Sequence, residues 1–212
     1  MLIPFKNLLS KYNIKPTGVF HIGASIGQEA NDYFNSGVEN VVWIEAIPYI
    51  FQELLNNIEK YPGNIAFNEC ISDSDGETIT FNISSHGAQS SSILQLGTHK
   101  TDHPEVRYVS SISAKTKRID TLLEEHQLTL SNYDFLNIDL QGAELLALKG
   151  IGEEFKNVRY AYIEVNKAEL YIGCPLIKDI DDLMWIHGLH RVETEWCGNF
   201  GWGDAFYVKK EL

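Results

Sequence analysis

Short apolar runs recur along the chain, and most are followed by a segment in which apolar residues return every three or four positions. The first run, 17–22, enters a small-residue turn, Gly23-Ala24-Ser25-Ile26-Gly27, from which a helix leaves over 27–36 and stops at Gly37. The second, 40–45, ends in Glu45. Pro48 follows at a position where a first helical turn tolerates proline, and 48–60 reads as a helix with Ile50, Leu54, Leu55 and Ile58 facing inward. Pro62-Gly63 breaks it, and 64–71 reads as a third strand. Runs at 133–139 and 158–164 predict a fourth and fifth strand around a helix over 142–149 that Gly150 closes. A helix over 179–187, carrying Ile180, Leu183, Met184 and Ile186, leads to a strand at 189–196, and 203–209 ends the pattern as another. Ahead of all this, Phe5, Leu8, Leu9 and Tyr12 predict a short helix over 4–12 covering one sheet edge. Repeated strand–helix units with a terminal hairpin predict a mostly parallel sheet between helix layers, an α/β fold.

One region departs from this alternation. Turn residues at 72–77 lead into an alternating 78–83, a hairpin signal. Residues 106–112 and 113–119 alternate like two further strands, and 120–126 reads as a helix. Between them, 84–105 has no period. About 20 irregular residues in a compact domain usually form a lid or binding loop. An irregular segment of 84–112 after the third strand is therefore expected as a lid or binding loop, with a partly disordered insertion as the alternative.

The candidate chemistry collects at strand ends. The turn after the first strand carries Gly23 and Gly27 with Ala24, Ser25 and Ile26 between them. A pyrophosphate-binding fingerprint needs G-x-G-x-x-G, which is absent, so a nucleoside without a diphosphate fits better than a dinucleotide. Glu45 lies about 20 residues beyond that turn at the tip of the second strand, where an acid accepts ribose hydroxyls. A helix cap or a solvated strand tip is the structural alternative for it. Asp139 and Glu164 end two later strands, so acids gather at the edge where doubly wound sheets bind ligands.

Composition narrows the partners. The 212 residues suit one domain, 1–212, with the N-terminal helix inside 1–16. A net charge of −12 argues against nucleic acid and against an anionic membrane surface. Cys70, Cys174 and Cys197 are odd in number and widely spaced, which fits neither a disulfide framework nor structural zinc. No apolar run approaches a membrane span, and the first residues lack the apolar stretch of a secretion signal. A soluble, cytoplasmic protein is expected; the oligomeric state is not legible.

The segments FHIGASIGQE, VVWIEAIP, NECISDSDGE, SSSIL, KRIDTLL, FLNIDLQGAELLALKG and YAYIEVN, in this order, resemble the FkbM-like S-adenosylmethionine-dependent methyltransferases. His21 stands where many methyltransferases carry an acid, and Gln141 where this family more often has Glu. The resemblance implies a Rossmann-like class I methyltransferase fold with a seven-stranded sheet and an antiparallel C-terminal strand. It implies S-adenosylmethionine as methyl donor and a hydroxyl of a sugar, glycan or small molecule as acceptor. On this reading His21, Gly23, Ala24, Gly27, Glu29, Glu45, Ala46, Cys70, Ile71 and Asp139 bind the cofactor. Ser90, Ser91, Glu164 and Asn166 lie on the acceptor side. Asp139 is the first candidate for the base that takes the acceptor proton, with His99 or His103 as alternatives. No metal is expected, although Asp139, Glu164 and Asn166 are an oxygen set suited to magnesium or calcium. Trp185, Trp196, Phe200 and Trp202 offer faces for a sugar or simply pack, and 198–203 is the candidate acceptor-side loop. The rivals are a non-catalytic nucleoside-binding scaffold and a dinucleotide-dependent oxidoreductase.

Overall fold

The computed structural model describes residues 1–85 and 87–210. Its main sheet has seven strands in the order β3-β2-β1-β7-β8-β10-β9. These are β1 (Val19–Ile22), β2 (Val41–Ile44), β3 (Asn64–Phe67), β7 (Phe135–Ile138), β8 (Tyr160–Asn166), β9 (Leu189–Trp196) and β10 (Trp202–Lys209). Strands β1, β2, β3, β7 and β8 run parallel, while β10 enters antiparallel between β8 and β9. Their carboxyl ends therefore lie along one edge, and β10 begins at that edge beside the end of β8, with Trp202 opposite Asn166.

The strands are short and apolar because both faces are covered. All positions of β1, β2, β7 and β8 are buried. On one face, Phe20, Ile22, Val42, Leu136, Ile138 and Ile163 pack under α5 (Ile119–Glu125), α6 (Glu144–Lys149) and α7 (Ile177–Ile186). On the other, Val19, Trp43, Phe135, Tyr162 and Phe206 pack under α1 (Phe5–Tyr12), α2 (Ala30–Asn35) and α3 (Pro48–Ile58). No helix among the described residues is long and apolar enough to cross a membrane.

Several expectations are corrected. The third strand splits into β3 and β4 (Cys70–Ile71). Between them the Asn68 amide donates to the carbonyls of Glu45 (2.8 Å) and Ala46 (3.1 Å), which turns the chain out of the main sheet. β4 then joins a separate three-stranded sheet, β4-β6-β5, with β5 (Thr78–Ser84) and β6 (Tyr108–Lys117). The two strands read at 106–119 are this one continuous β6; nothing between Ile112 and Ser113 is turn chemistry. The partner of β5 is therefore not its next neighbour in sequence but β6, after a long connection. That connection holds a short helix, α4 (His99–Asp102), and bridges at Asn82–Ser92 and Leu96–Tyr171. Leu55 is on the outer side of α3, 37% exposed, while Ile50, Leu54 and Ile58 face in.

The N-terminal helix lies over the sheet face, not its edge. Phe5 meets Tyr33 and Phe135 edge-on, with ring centroids 4.8 and 5.1 Å apart, and Tyr12 reaches Phe206 at 5.3 Å. Phe5 is 1% exposed in the middle of that aromatic layer. Phe5→Ala is expected to cost about 3–5 kcal/mol in urea unfolding, since the layer cannot collapse onto the space left. A loss under about 1 kcal/mol would mean that α1 is not part of this core.

Candidate active site

A cavity of about 390 Å³ opens along the carboxyl edge of the sheet. Its floor follows the strand order: Cys70 and Ile71 from β4, Glu45 after β2, Gly23 after β1, Asp139 after β7, Glu164 on β8, and Trp202 and Asp204 on β10. The irregular connection supplies the opposite wall through Ser90, Ser91, Ile93, His99 and His103.

The turn after β1 is fixed by backbone crowding. Gly23 has φ +79°, and a Cβ there would lie 1.8 Å from the carbonyl oxygen of Asp139. Glycine is thus required for the β1 and β7 ends to come together. Gly23 and Ala24 both donate their N–H to the Ile44 carbonyl at 2.9 Å, which ties the turn to β2. Gly27 answers a different need. It does not line the cavity; a Cβ there would strike Leu54 at 2.8 Å, so its contact is with α3 and not with a ligand.

Glu45 is 7% exposed and held on both oxygens: Oε2 accepts from the Ser25 N–H at 2.9 Å and Oε1 from the Ile47 N–H at 2.8 Å. Burial raises its pKa while these amides oppose the rise. The carboxylate is oriented before any ligand arrives and keeps lone pairs for further donors. Beside it, burial drives the Cys70 thiol up to about 12, so it is an apolar wall and not a nucleophile.

His21 lines the cavity but is 3% exposed and stacks at 5.1 Å on Trp43. Its Nδ1 lies 3.3 Å from the Tyr33 hydroxyl, which also accepts from the Asn137 amide at 2.7 Å. Burial pushes its pKa down to about 4, so the ring is neutral at pH 7.

Past β1 the acids crowd. Asp139, Glu144 and Glu164 bring one oxygen each within 4.8 Å of one another. Asp139 touches solvent in the cavity although protein surrounds it closely; burial first, and then Asp204, raise it to about 6. Burial and Asp139 raise Glu144 to about 7 and push Glu164 well above the carboxylate range. Burial and the neighbouring acids favour the protonated form of Glu164, beside Asp139. Gln141 completes the arrangement. Its amide nitrogen donates to Asp139 Oδ1 (2.6 Å) and Glu164 Oε2 (2.8 Å), and its oxygen accepts from the Tyr171 hydroxyl (2.5 Å). A Glu at 141 would bring a further acceptor where two donors are needed.

Of the other residues singled out from sequence, Glu29, Ala46, Ser90 and Ser91 line the cavity. Asn166 does not. It is 1% exposed, and its amide nitrogen and oxygen have no partner among the described residues. In the acidic group its place is taken by Glu144, which sequence reasoning missed. Glu144 binds the loop after β7 by accepting from Leu140 N–H (2.9 Å) and Gly142 N–H (3.0 Å). An acid soon after a strand-end turn was its signal. Tyr171 and Asp204 were missed too, because both lie outside the strand–turn–helix motifs.

Residues 21–191 match the family model described as Methyltransferase FkbM domain. The chain belongs to the FkbM methyltransferase family. Within curated proteins, the 2-O-methyltransferase NoeI of Sinorhizobium fredii is 34% identical over 95 residues, which is 45% of this chain and 38% of NoeI. The hexuronic acid methyltransferase AglP of Haloferax volcanii is 29% identical over 149 residues, 70% of this chain and 55% of AglP. This FkbM chain thus spans about half or less of the length of these relatives. Among solved structures, magnesium protoporphyrin IX methyltransferase from Synechocystis with bound SAM superposes with a TM-score of 0.52 at 11% identity, covering 96% of this chain and 74% of that one. Fibrillarin from Aeropyrum pernix reaches 0.50 at 12%, covering 96% and 73%. At such identities the likeness is one of fold.

The raised carboxyls set a pH signature. Asp139 and Glu144 ordinarily titrate at 3.8 and 4.5 but here at about 6 and 7, so between pH 4 and 7 the folded chain holds protons that the unfolded chain has released. That contribution to stability is present below pH 4 and is lost as pH rises through 6 and 7. Glu164→Gln, which relieves the crowding, is expected to gain stability on the wild type from pH 5 to pH 8, by at least about 1.4 kcal/mol at the upper end. Chemical denaturation across this range checks it, and a difference that does not change with pH would refute the raised carboxyls.

Proposed function

We propose that this chain is an S-adenosylmethionine-dependent O-methyltransferase acting on a hydroxyl of a sugar unit. The carrying observation is Glu45: a buried carboxylate, pinned on both oxygens by backbone amides, beside the crowded Gly23 turn in a chain of this family. The reading of the acceptor as a sugar is supported by the names of NoeI and AglP.

In this reading the Glu45 carboxylate accepts the ribose hydroxyls, and Cys70 and Ile71 present apolar surface to adenine. Gly23 and Ala24 let the amino-acid tail lie on bare backbone beside neutral His21. The cavity is lined by Glu29, Glu45, Glu69, Asp139, Glu164 and Asp204, a field that favours a cationic donor over an anionic diphosphate. In the transfer, the acceptor oxygen forms a bond to the methyl carbon, the carbon–sulfur bond breaks, and sulfur keeps the electron pair. The product sulfur is neutral and loses its attraction to that field. Alignment of the two reactants is the main catalytic contribution, worth ~7–11 kcal/mol where geometry is good.

The acceptor hydroxyl must also lose a proton. Asp139, raised to about 6, is still ionised in most molecules at pH 7 and faces the cavity, the setting of a general base. Gln141 holds its Oδ1 and Glu164 carries the neighbouring proton, so it is oriented without a second full negative charge beside it. His103, 3.6 Å from Glu105, lines the same cavity as the alternative base.

Calorimetry with S-adenosylmethionine, S-adenosylhomocysteine and NAD tests the donor; binding of NAD and neither sulfur compound would end the reading. Glu45→Ala is expected to weaken S-adenosylhomocysteine by more than ~1 kcal/mol, about fivefold or more in Kd, because a buried ribose loses its acceptor. Unchanged affinity would remove that role. Asp139→Asn is expected to lower turnover at least ~10²-fold while shifting donor affinity far less. Equal losses in both would make Asp139 a binding residue and move the base to His103.

A further inference from the structure

Beyond Asp139 the cavity changes character. His99 on α4 and His103 just after it face Tyr171 and the turn before β10. The ring centroids of His103 and Phe200 are 4.4 Å apart, those of His99 and His103 4.9 Å, and those of His99 and Tyr171 5.4 Å. His99, His103, Tyr171 and Trp202 line the cavity directly, while Phe200 does not and backs onto the ring of His103. Tertiary structure thus joins a loop helix to a turn about 100 residues later into one aromatic wall. Backbone bonds hold it: Gly97 N–H donates to the Leu170 carbonyl at 2.6 Å and His99 N–H to the same carbonyl at 3.2 Å.

Two features of this wall point to a ligand. Phe200 remains 37% exposed although it is packed on His103. His99 is 5% exposed, yet its Nδ1 has no hydrogen-bond partner among the described residues. That nitrogen is shut off from the cavity, so a ligand hydroxyl would meet the imidazole at its other nitrogen, Nε2. Charge narrows the ligand further. No Lys or Arg among the described residues lines the cavity, whereas Asp139 and Asp204 do. The amino group of Met1, also at the cavity, pairs with Glu29 at 3.6 Å. A carboxylate on the acceptor would meet acids, and the cation at the cavity is already paired with Glu29.

We propose that the His99–His103–Phe200–Trp202 wall is the acceptor subsite, which stacks one face of an uncharged pyranose, hydrogen-bonds its hydroxyls through His99, and disfavours a hexuronate. This rests on the sugar reading above and departs from the substrate class in the name of AglP. Aromatic faces suit the C–H face of a pyranose ring, while imidazole nitrogens suit its equatorial hydroxyls. Burial, and then His103, lower the pKa of His99, which keeps the ring neutral and able to accept as well as donate.

The test uses the protein saturated with S-adenosylhomocysteine and a panel of methyl hexopyranosides with the matching methyl hexopyranosiduronates. Saturation-transfer NMR titrations measure affinity. At least one neutral glycoside is expected to bind at least tenfold more tightly than its uronate partner, with the strongest saturation on the protons of one ring face. Phe200→Ala and His99→Ala are each expected to weaken it fivefold or more and to leave the affinity for S-adenosylhomocysteine within twofold. Phe200 is exposed, so its truncation keeps the test alive should His99→Ala fold poorly. A uronate that binds as tightly as its neutral partner overturns the proposal. So does a glycoside that binds both variants as it binds the wild type, an outcome that leaves the sugar methyltransferase reading standing. A wild type that binds S-adenosylhomocysteine but no glycoside of either kind overturns both.

Discussion

The close approach of two backbones, at Gly23 and at the carbonyl of Asp139, is the constraint from which the site follows. Any side chain at 23 would stand 1.8 Å from that oxygen. Because the contact is allowed, the turn after β1 and the loop after β7 lie side by side, and the ends of β2 and β8 flank them. Glu45 then faces the turn from one side and Glu164 faces Asp139 from the other. Adjacent parallel strands supply the order, and glycine supplies the distance.

The same convergence concentrates negative charge in a poorly hydrated space. Burying carboxylates without cations is costly, and each acid here is relieved by a different device. Glu45 receives two backbone amides. Glu144 receives two more from the loop it caps, although its Oε2 has no partner among the described residues. Asp139 and Glu164 share the amide of Gln141, and Glu164 is held toward its protonated form. Asp204 accepts from the Tyr162 hydroxyl at 2.5 Å. The acids are kept rather than replaced by apolar residues, and that costs stability near neutral pH. A cationic ligand in the cavity would offset this cost and so couple its binding to the stability of the fold.

The two ends of the cavity have unlike origins. The end near Glu45 is made by strand termini of the main sheet, rigid elements covered on both faces. The far end is made by the long connection between β5 and β6 and by the turn before β10, elements tied to one another by few backbone bonds. A rigid end beside an adaptable one follows from that division, since loops can change length and side chains without disturbing the sheet.

The sequence by itself determined the parallel sheet, the place of the glycine turn, and the acids after β2 and β7; the acid read as the end of the fifth strand, Glu164, lies inside β8, which runs on to Asn166. Each is a local matter: a strand covered on both faces must be apolar throughout, and its end must turn at small or polar residues. Four of the seven family motifs, FHIGASIGQE, VVWIEAIP, FLNIDLQGAELLALKG and YAYIEVN, lie on those same stretches. Only the tertiary structure decided the rest. The split of the third strand depends on Asn68 reaching the carbonyls of Glu45 and Ala46 from outside the strand. The continuity of β6 depends on a β5 partner far away in sequence. That Gly27 serves α3, that Asn166 leaves the acidic group to Glu144, and that His99 meets Tyr171 while His103 meets Phe200 are outcomes of packing between distant segments. Periodicity carries no record of such contacts, because it encodes which face of an element is buried and not what covers it.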